Sequence, residues 1–178
     1  MDARAYDLPE DLALTLRPVG VVRSPYRVHV GTPRQPGTGE VRDGEIVLRP
    51  GWQNLLQDLD GFSHVWVLYW FDKSRGWNEQ VAPPRDRKKR GLFATRSPHR
   101  PNPLGLSLVR LLSVRGTTLA IRGLDMLDGT PVLDLKPYVR DVECVPEATR
   151  GWLDELPPDP GPDHRDWRTD KSGFAKRS

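Results

Sequence analysis

The chain has 178 residues, a hydrophobic content of 37%, and 27 Lys or Arg against 24 Asp or Glu, for a formal charge of +3. That is about one domain of chain with enough apolar residues for a core, so a single soluble globular unit is expected. Its one cysteine, Cys144, excludes a disulfide framework and a cysteine-rich zinc site, and is expected to be a small, partly buried side chain rather than a nucleophile.

The positive charge admits a polyanionic partner without establishing one. Eighteen prolines and sixteen glycines disfavour long helices. There is no charged, apolar leader at the N-terminus, and no apolar run approaches the roughly 18 residues that cross a bilayer, so a cytoplasmic protein without membrane association is expected.

In chain order, residues 1–15 form a polar N-terminal segment, of which the first ten are expected to be loosely held. LRPVGVVRS (16–24) and GEIVLRP (44–50) are apolar runs punctuated by Gly or Pro, which predict strands. The polar stretch between them, HVGTPRQPGTGEVRDG, predicts a long surface loop of the kind that carries binding residues. In WQNLLQDLDGF the apolar positions Trp52, Leu55, Leu56 and Leu59 predict one short amphipathic helix, stopped by Asp60-Gly61. SHVWVLYWFD (63–72), rich in β-branched and aromatic residues, predicts a central strand that is buried on both sides or closed into a barrel.

PLGLSLVRLLSV (103–114) and GTTLAIRGLDMLDGTPVLDLKPYV (116–139) predict two or three antiparallel strands, with Arg115-Gly116 and Asp128-Gly129 as turns. Strands following one another without long helices predict an all-β, mainly antiparallel fold: a small closed β-barrel with one or two short helices and long loops. From residue 151 the chain is proline-rich, charged and poor in aliphatic residues. A barrel domain at 16–150 with a tail at 151–178 is expected, the alternative being that Trp152, Trp167 and Phe174 dock the tail on the barrel or on a second subunit.

The glycine-lysine phosphate loop, the GxSxG elbow, the HExxH pair and the glycine-rich dinucleotide fingerprint are all missing. His29, His64, His99 and His164 are scattered, so no metal is expected, and His64 beside the central strand is expected to be a satisfied core histidine. What remains are polar clusters on loops next to strong strands. In TPRQPG, prolines stiffen the backbone around Arg34 and Gln35. In FATRSPHRPNPLG, Arg96 is followed by Pro98, Pro101 and Pro103, which fix φ at three places and present Arg100 and Asn102 with little entropy to lose. In GLDMLDGTP, Asp125 and Asp128 flank a tight turn.

Each cluster alone is as well explained by an ordinary loop whose side chains cap local N–H groups. Together they suit one shared ligand with a carboxylate, ribose hydroxyls and a nucleobase. The basic run RDRKKR, directly upstream, is a candidate phosphate contact through Arg85, Arg87, Lys88, Lys89 and Arg90, with Arg100 beside it.

GVVRSPY, PRQPG, GFSHVWVLYWF, GLFATRSPHRPNPLGLSLV and GLDMLDGTPVLDLKPY, in that order, resemble the TrmO family, also described as the TsaA-like or YaeB-like domain. The resemblance implies a homodimeric, S-adenosylmethionine-dependent methyltransferase on a small antiparallel barrel, which methylates N6 of threonylcarbamoyladenosine beside the anticodon of tRNA. It places cofactor contacts on Arg34, Gln35, Pro36 and Gly37, on Asp72 and Lys73, on Arg96 and Leu106, and on Gly123, Leu124, Asp125 and Asp128. Asp72 stands where bacterial relatives tend to carry histidine.

Tyr138 and Asp134 are candidates for the proton acceptor that a urea-like N6 calls for. Longer bacterial members carry a further C-terminal domain, so here the basic run and the tail are expected to do more of the tRNA binding. Two other functions stay open: a methyl- or alkyltransferase acting on a small metabolite with the same cofactor, and a non-enzymatic module that binds a nucleotide or RNA.

Overall fold

The computed structural model describes residues 12–36, 41–84, 86 and 88–157. Six strands close into a barrel: β1 (Gly20–Arg23), β2 (Asp43–Leu48), β3 (His64–Trp70), β6 (Leu104–Arg115), β7 (Thr118–Arg122) and β8 (Pro131–Pro137). Their order around the barrel is β1-β2-β7-β6-β3-β8, and β8 returns to pair with β1. Every pairing is antiparallel, as expected for strands joined by loops and hairpins rather than helices. A separate ribbon joins β4 (Gln80–Val81) to β5 (Arg90–Gly91) in the long connection between β3 and β6, and the strand expected to end at Arg96 is instead this short β5 followed by a 3-10 turn, Leu92–Ala94.

Alternation explains the core. Val65, Val67 and Tyr69 of β3 point inward with Val109 and Leu111 of β6, and Val22, Ile46, Leu48, Leu119, Ile121 and Val132 complete the filling. The partly covered residues His64, Trp66 and Leu68 face outward, so the apolar run is a barrel wall with a half-covered outer face. Two bulges bend the sheet, one at Leu68/Tyr69 against β8 and one at Leu111/Ser113 in the twelve-residue β6, where an extra residue sharpens the local twist.

Several expectations need correction. The periodicity at Trp52, Leu55, Leu56 and Leu59 forms two 3-10 turns, Gln53–Leu56 and Leu59–Gly61, instead of one helix. Asp58 between them adopts a left-handed φ of 63°, and Leu56 alone is buried in these turns, closing the bottom of the barrel. Cys144 is exposed, because it follows a one-turn helix, Arg140–Glu143, on the outside of the barrel. His64 is half-buried on the outer face, with Nδ1 2.9 Å from Ser63 Oγ, and is not a core residue. Among the described residues no helix is long and apolar enough to cross a membrane.

Antiparallel topology settles where the loops go. The β1–β2, β3–β6 and β7–β8 connections all leave from one end of the barrel, here called the mouth. The 3-10 turns before β3 and the tight β6–β7 hairpin occupy the other.

Candidate functional site

All three polar clusters lie on mouth loops, and specific bonds draw them together. Asp128 Oδ1 accepts from the Ser24 N–H at 3.1 Å, and its Oδ2 pairs with Arg27 at 3.1 Å. Backbone bonds from Asp128 N to Tyr26 O and from Gly129 N to Val22 O continue the seam. Gly129, at φ 81°, allows the turn that returns the chain to β8. Asp128 therefore spends both oxygens tying the β1–β2 loop to the β7–β8 loop.

Asp125 has a different setting. The Ser107 hydroxyl donates to its Oδ1 at 2.7 Å, and the Tyr69 hydroxyl lies 3.3 Å from Ser107 Oγ. Ser107 has one proton to give and it goes to Asp125, so Tyr69 donates in turn, making a directed chain Tyr69 to Ser107 to Asp125. Ser107 and Tyr69 are buried, and Gly105 makes room: a Cβ there would run into the Tyr69 ring. Burial pushes the Asp125 carboxyl up to about 7, against the opposing effects of the Ser107 bond, its own backbone N–H and the Arg96 charge. Burial, reinforced by the Asp125 charge, raises the Tyr69 hydroxyl as well.

Arg96 is exposed beside this cluster, and its NH1 is 3.3 Å from Gln35 Oε1 of the β1–β2 loop. The signature loop that carries it is held at several points. Thr95 Oγ1 bonds Leu92 O, His99 Nδ1 is 3.0 Å from Ser74 Oγ, and Phe71 N bonds Pro103 O. Arg100 turns back onto its own loop, with NH1 2.9 Å from Thr95 O and 3.4 Å from Ser97 O, and its guanidinium lies over the Phe93 ring. Arg100, a candidate phosphate contact from sequence, thus also shapes the loop through its NH1.

Other expected residues divide clearly. Arg34 and Pro36 lie on the β1–β2 loop beside Gln35, while Asp72 and Lys73 follow β3 at the mouth, with Asp72 O accepting from Arg75. Gly123 follows β7, its N–H bonded to Arg42 O, and Leu124 is buried in the core. Gly37, Arg85 and Arg87 lie outside the described residues, as do Trp167 and Phe174.

Leu106 is 55% exposed and faces the outside of the barrel, because Gly105 and Ser107 take the inward positions. Tyr138 sits past the far end of β8, bonded through N to His64 O and packed edge-on against His64 and Trp66. Asp134 is paired with Lys136 at 2.9 Å. Neither is among the groups bonded in the Tyr69–Ser107–Asp125 chain.

In the basic run, Arg90 is bound to Asp86 at 2.7 Å and to Glu155 at 3.3 Å, and Lys88 is 3.9 Å from Glu155. Asp86 is held below the usual carboxylate range by the Lys88 N–H and the Arg90 side chain. Lys89 is exposed.

Sequence reasoning missed Ser107 and Tyr69 because buried polar groups on strands carry no motif. The one available signal was small residues at Gly105 and Ser107 sharing an inward parity in a Leu/Val-rich strand.

A closed antiparallel barrel whose three mouth loops bring together a guanidinium, an amide and a buried carboxyl defines a ligand-binding barrel of the class that works through its loops. Residues 21–144 match the tRNA-methyltransferase O N-terminal domain, and the chain belongs to that family.

Two archaeal relatives are each named a probable S-adenosyl-L-methionine-binding protein. That of Archaeoglobus fulgidus is 44% identical over 147 residues, covering 83% of this chain and 40% of the relative. That of Methanothermobacter thermautotrophicus is 46% identical over 135 residues, covering 76% and 97%. The tRNA (adenine(37)-N6)-methyltransferase of Escherichia coli is 40% identical over 149 residues, covering 78% and 63%. The crystal structure of TrmO from Pseudomonas aeruginosa superimposes with a TM-score of 0.68 at 38% identity, covering 83% and 64%. The chain thus spans less than two thirds of the A. fulgidus and E. coli proteins and nearly all of the M. thermautotrophicus one.

Proposed function

We propose that this chain is an S-adenosylmethionine-dependent methyltransferase acting on N6 of an adenine in tRNA, and that the adenine is threonylcarbamoyladenosine beside the anticodon. The observation that carries this reading is the meeting of Arg96, Gln35 and Asp125 at one mouth, inside the span shared with proteins named for binding S-adenosylmethionine.

The donor set fits that ligand. Arg96 offers planar N–H donors to a carboxylate, Asp125 accepts from an amino group or a ribose hydroxyl, and Gln35 can do either. When bound, S-adenosylmethionine supplies a methyl group on a positively charged sulfur, open to in-line attack by a nitrogen nucleophile.

The chain's own contribution is orientation. Pro98, Pro101 and Pro103 stiffen the loop that presents Arg96, and the Tyr69–Ser107 pair fixes the Asp125 carboxyl. At neutral pH that carboxyl is near half-protonated, so a cation settling beside it displaces the proton and is then held by the charge. A homodimer belongs to the same reading, supported by Trp70, Leu104 and Leu106, which leave an exposed apolar patch on the outer wall of β3 and β6. A tRNA substrate also implies a cytoplasmic location.

The test is incubation of the purified chain with methyl-labelled S-adenosylmethionine and tRNA carrying, or lacking, threonylcarbamoyladenosine, followed by mass spectrometry of the nucleosides. Methyl transfer to the threonylcarbamoylated tRNA alone is expected; transfer to neither refutes the tRNA substrate. One observation favours a small metabolite instead: Lys88 and Arg90 already have intramolecular acidic partners. In that case Lys88→Ala/Lys89→Ala leaves methylation unchanged, whereas a tRNA enzyme loses activity most at high salt.

A further inference from the structure

The signature loop is tied to its surroundings on either side of Arg96, through Leu92 N to Glu79 O and through His99 to Ser74. Leu92–Ala94 form a 3-10 turn, and Thr95 then goes extended at φ −133°, so the Ala94 carbonyl at the end of the turn finds no partner within the loop. Arg100 holds Thr95 O and Ser97 O but belongs to the loop itself, and cannot tie it to anything else. A tie closer to Arg96 comes from residues beyond the family match. Gly151–Glu155 form a 3-10 turn from which the Trp152 indole N–H donates to Ala94 O at 2.8 Å.

The same tryptophan is gripped from its other side. The Arg90 guanidinium stands 5.0 Å from its ring centre, and that arginine is bound both to Asp86 and to Glu155 of the same turn. Lys88 adds a longer contact to Glu155. Trp152 is therefore a wedge between the β4–β5 ribbon and the backbone two residues before Arg96. An exposed, long side chain such as Arg96 loses affinity if its backbone also has to be ordered on binding. Removing that freedom beforehand is what a clamp at Ala94 does.

We propose that Trp152 is a positioning residue: its hydrogen bond to Ala94 O fixes the backbone from which Arg96 meets the ligand. The proposal rests on the reading of Arg96 as an S-adenosylmethionine contact. It also gives the segment after residue 150 a part in the site.

Trp152→Phe is the decisive variant, because it keeps an aromatic ring for Arg90 while removing the N–H donor; Trp152→Ala removes both. Amide hydrogen exchange in the 92–104 segment of the ligand-free protein is the first readout. Exchange at Ser97 and its neighbours should rise about fivefold in Trp152→Phe, as expected for the loss of one net hydrogen bond, and further in Trp152→Ala.

Calorimetric titration with S-adenosylmethionine is the second readout. Trp152→Phe should weaken binding by about threefold to tenfold in the wild-type background and have no effect in an Arg96→Ala background. The melting temperature of the barrel should stay at its wild-type value in Trp152→Phe. Unchanged exchange overturns the clamp. An affinity loss of equal size with and without Arg96 overturns its action through that residue. If the wild-type chain does not bind S-adenosylmethionine, the functional reading falls and hydrogen exchange alone decides whether Trp152 holds the loop.

Discussion

Asp125, through its buried carboxyl, couples a proton to folding. Its carboxyl ionises near 3.8 in an open chain and near 7 in the fold, chiefly because burial disfavours the charge. Between those two values the folded protein keeps a proton that the unfolded chain has already lost. Stability therefore falls as pH rises through this window, from no penalty below about 4 to a full penalty above about 7. The gap is worth about 4 kcal/mol at 1.36 kcal/mol per tenfold change, a large part of a small domain's stability.

Asp125→Asn keeps an acceptor for Ser107 and cannot ionise. Urea denaturation of both proteins from pH 4 to 8.5 should show their stability difference growing in favour of the variant by up to about 4 kcal/mol. A difference that does not change with pH refutes the buried, proton-holding carboxyl. The same variant should lose affinity for S-adenosylmethionine, a trade of function for stability. Wild-type binding at pH 7 should release about half a proton, read by calorimetry in buffers of different ionisation enthalpy. Release of none refutes a cationic group beside Asp125.

Gly105→Ala drives a methyl group into the buried Tyr69 ring and should cost about 1–3 kcal/mol by urea denaturation, lowering S-adenosylmethionine affinity as the Tyr69–Ser107–Asp125 chain shifts. Arg96→Ala should lose about 1.5–3 kcal/mol of S-adenosylmethionine binding by calorimetry with the melting temperature unchanged, since its side chain is exposed and outside the core. Asp128→Ala strands the N–H of buried Ser24 and releases Arg27, so it should cost about 1–3 kcal/mol and raise hydrogen exchange in residues 24–30.

The strands were legible because their apolar residues come in short runs cut by Gly and Pro, and antiparallel closure then follows from connections without helices. The turn at Asp128-Gly129 was legible for a local reason, a dipeptide that tolerates positive φ. Trp52, Leu55, Leu56 and Leu59 misled because their helical spacing is satisfied equally by two tight turns that insert one leucine into the barrel floor. The three loops of the site were visible as rigid polar segments. Which side chains in them face a ligand was not, because Arg96 and Arg100, or Asp125 and Asp128, look alike as residue types four and three positions apart.

The sequence by itself determined a barrel of antiparallel strands and the loops that carry its chemistry, since patterning and turn residues act over a few neighbours. Only the tertiary structure separated Arg96, turned toward Gln35 and the Asp125 cluster, from Arg100, turned onto its own backbone. It alone paired Asp125 with Ser107 across 18 positions, and Trp152 with Ala94 across 58. Burial and hydrogen-bond partnership depend on what closure brings alongside, and that has no signature within a single stretch of chain.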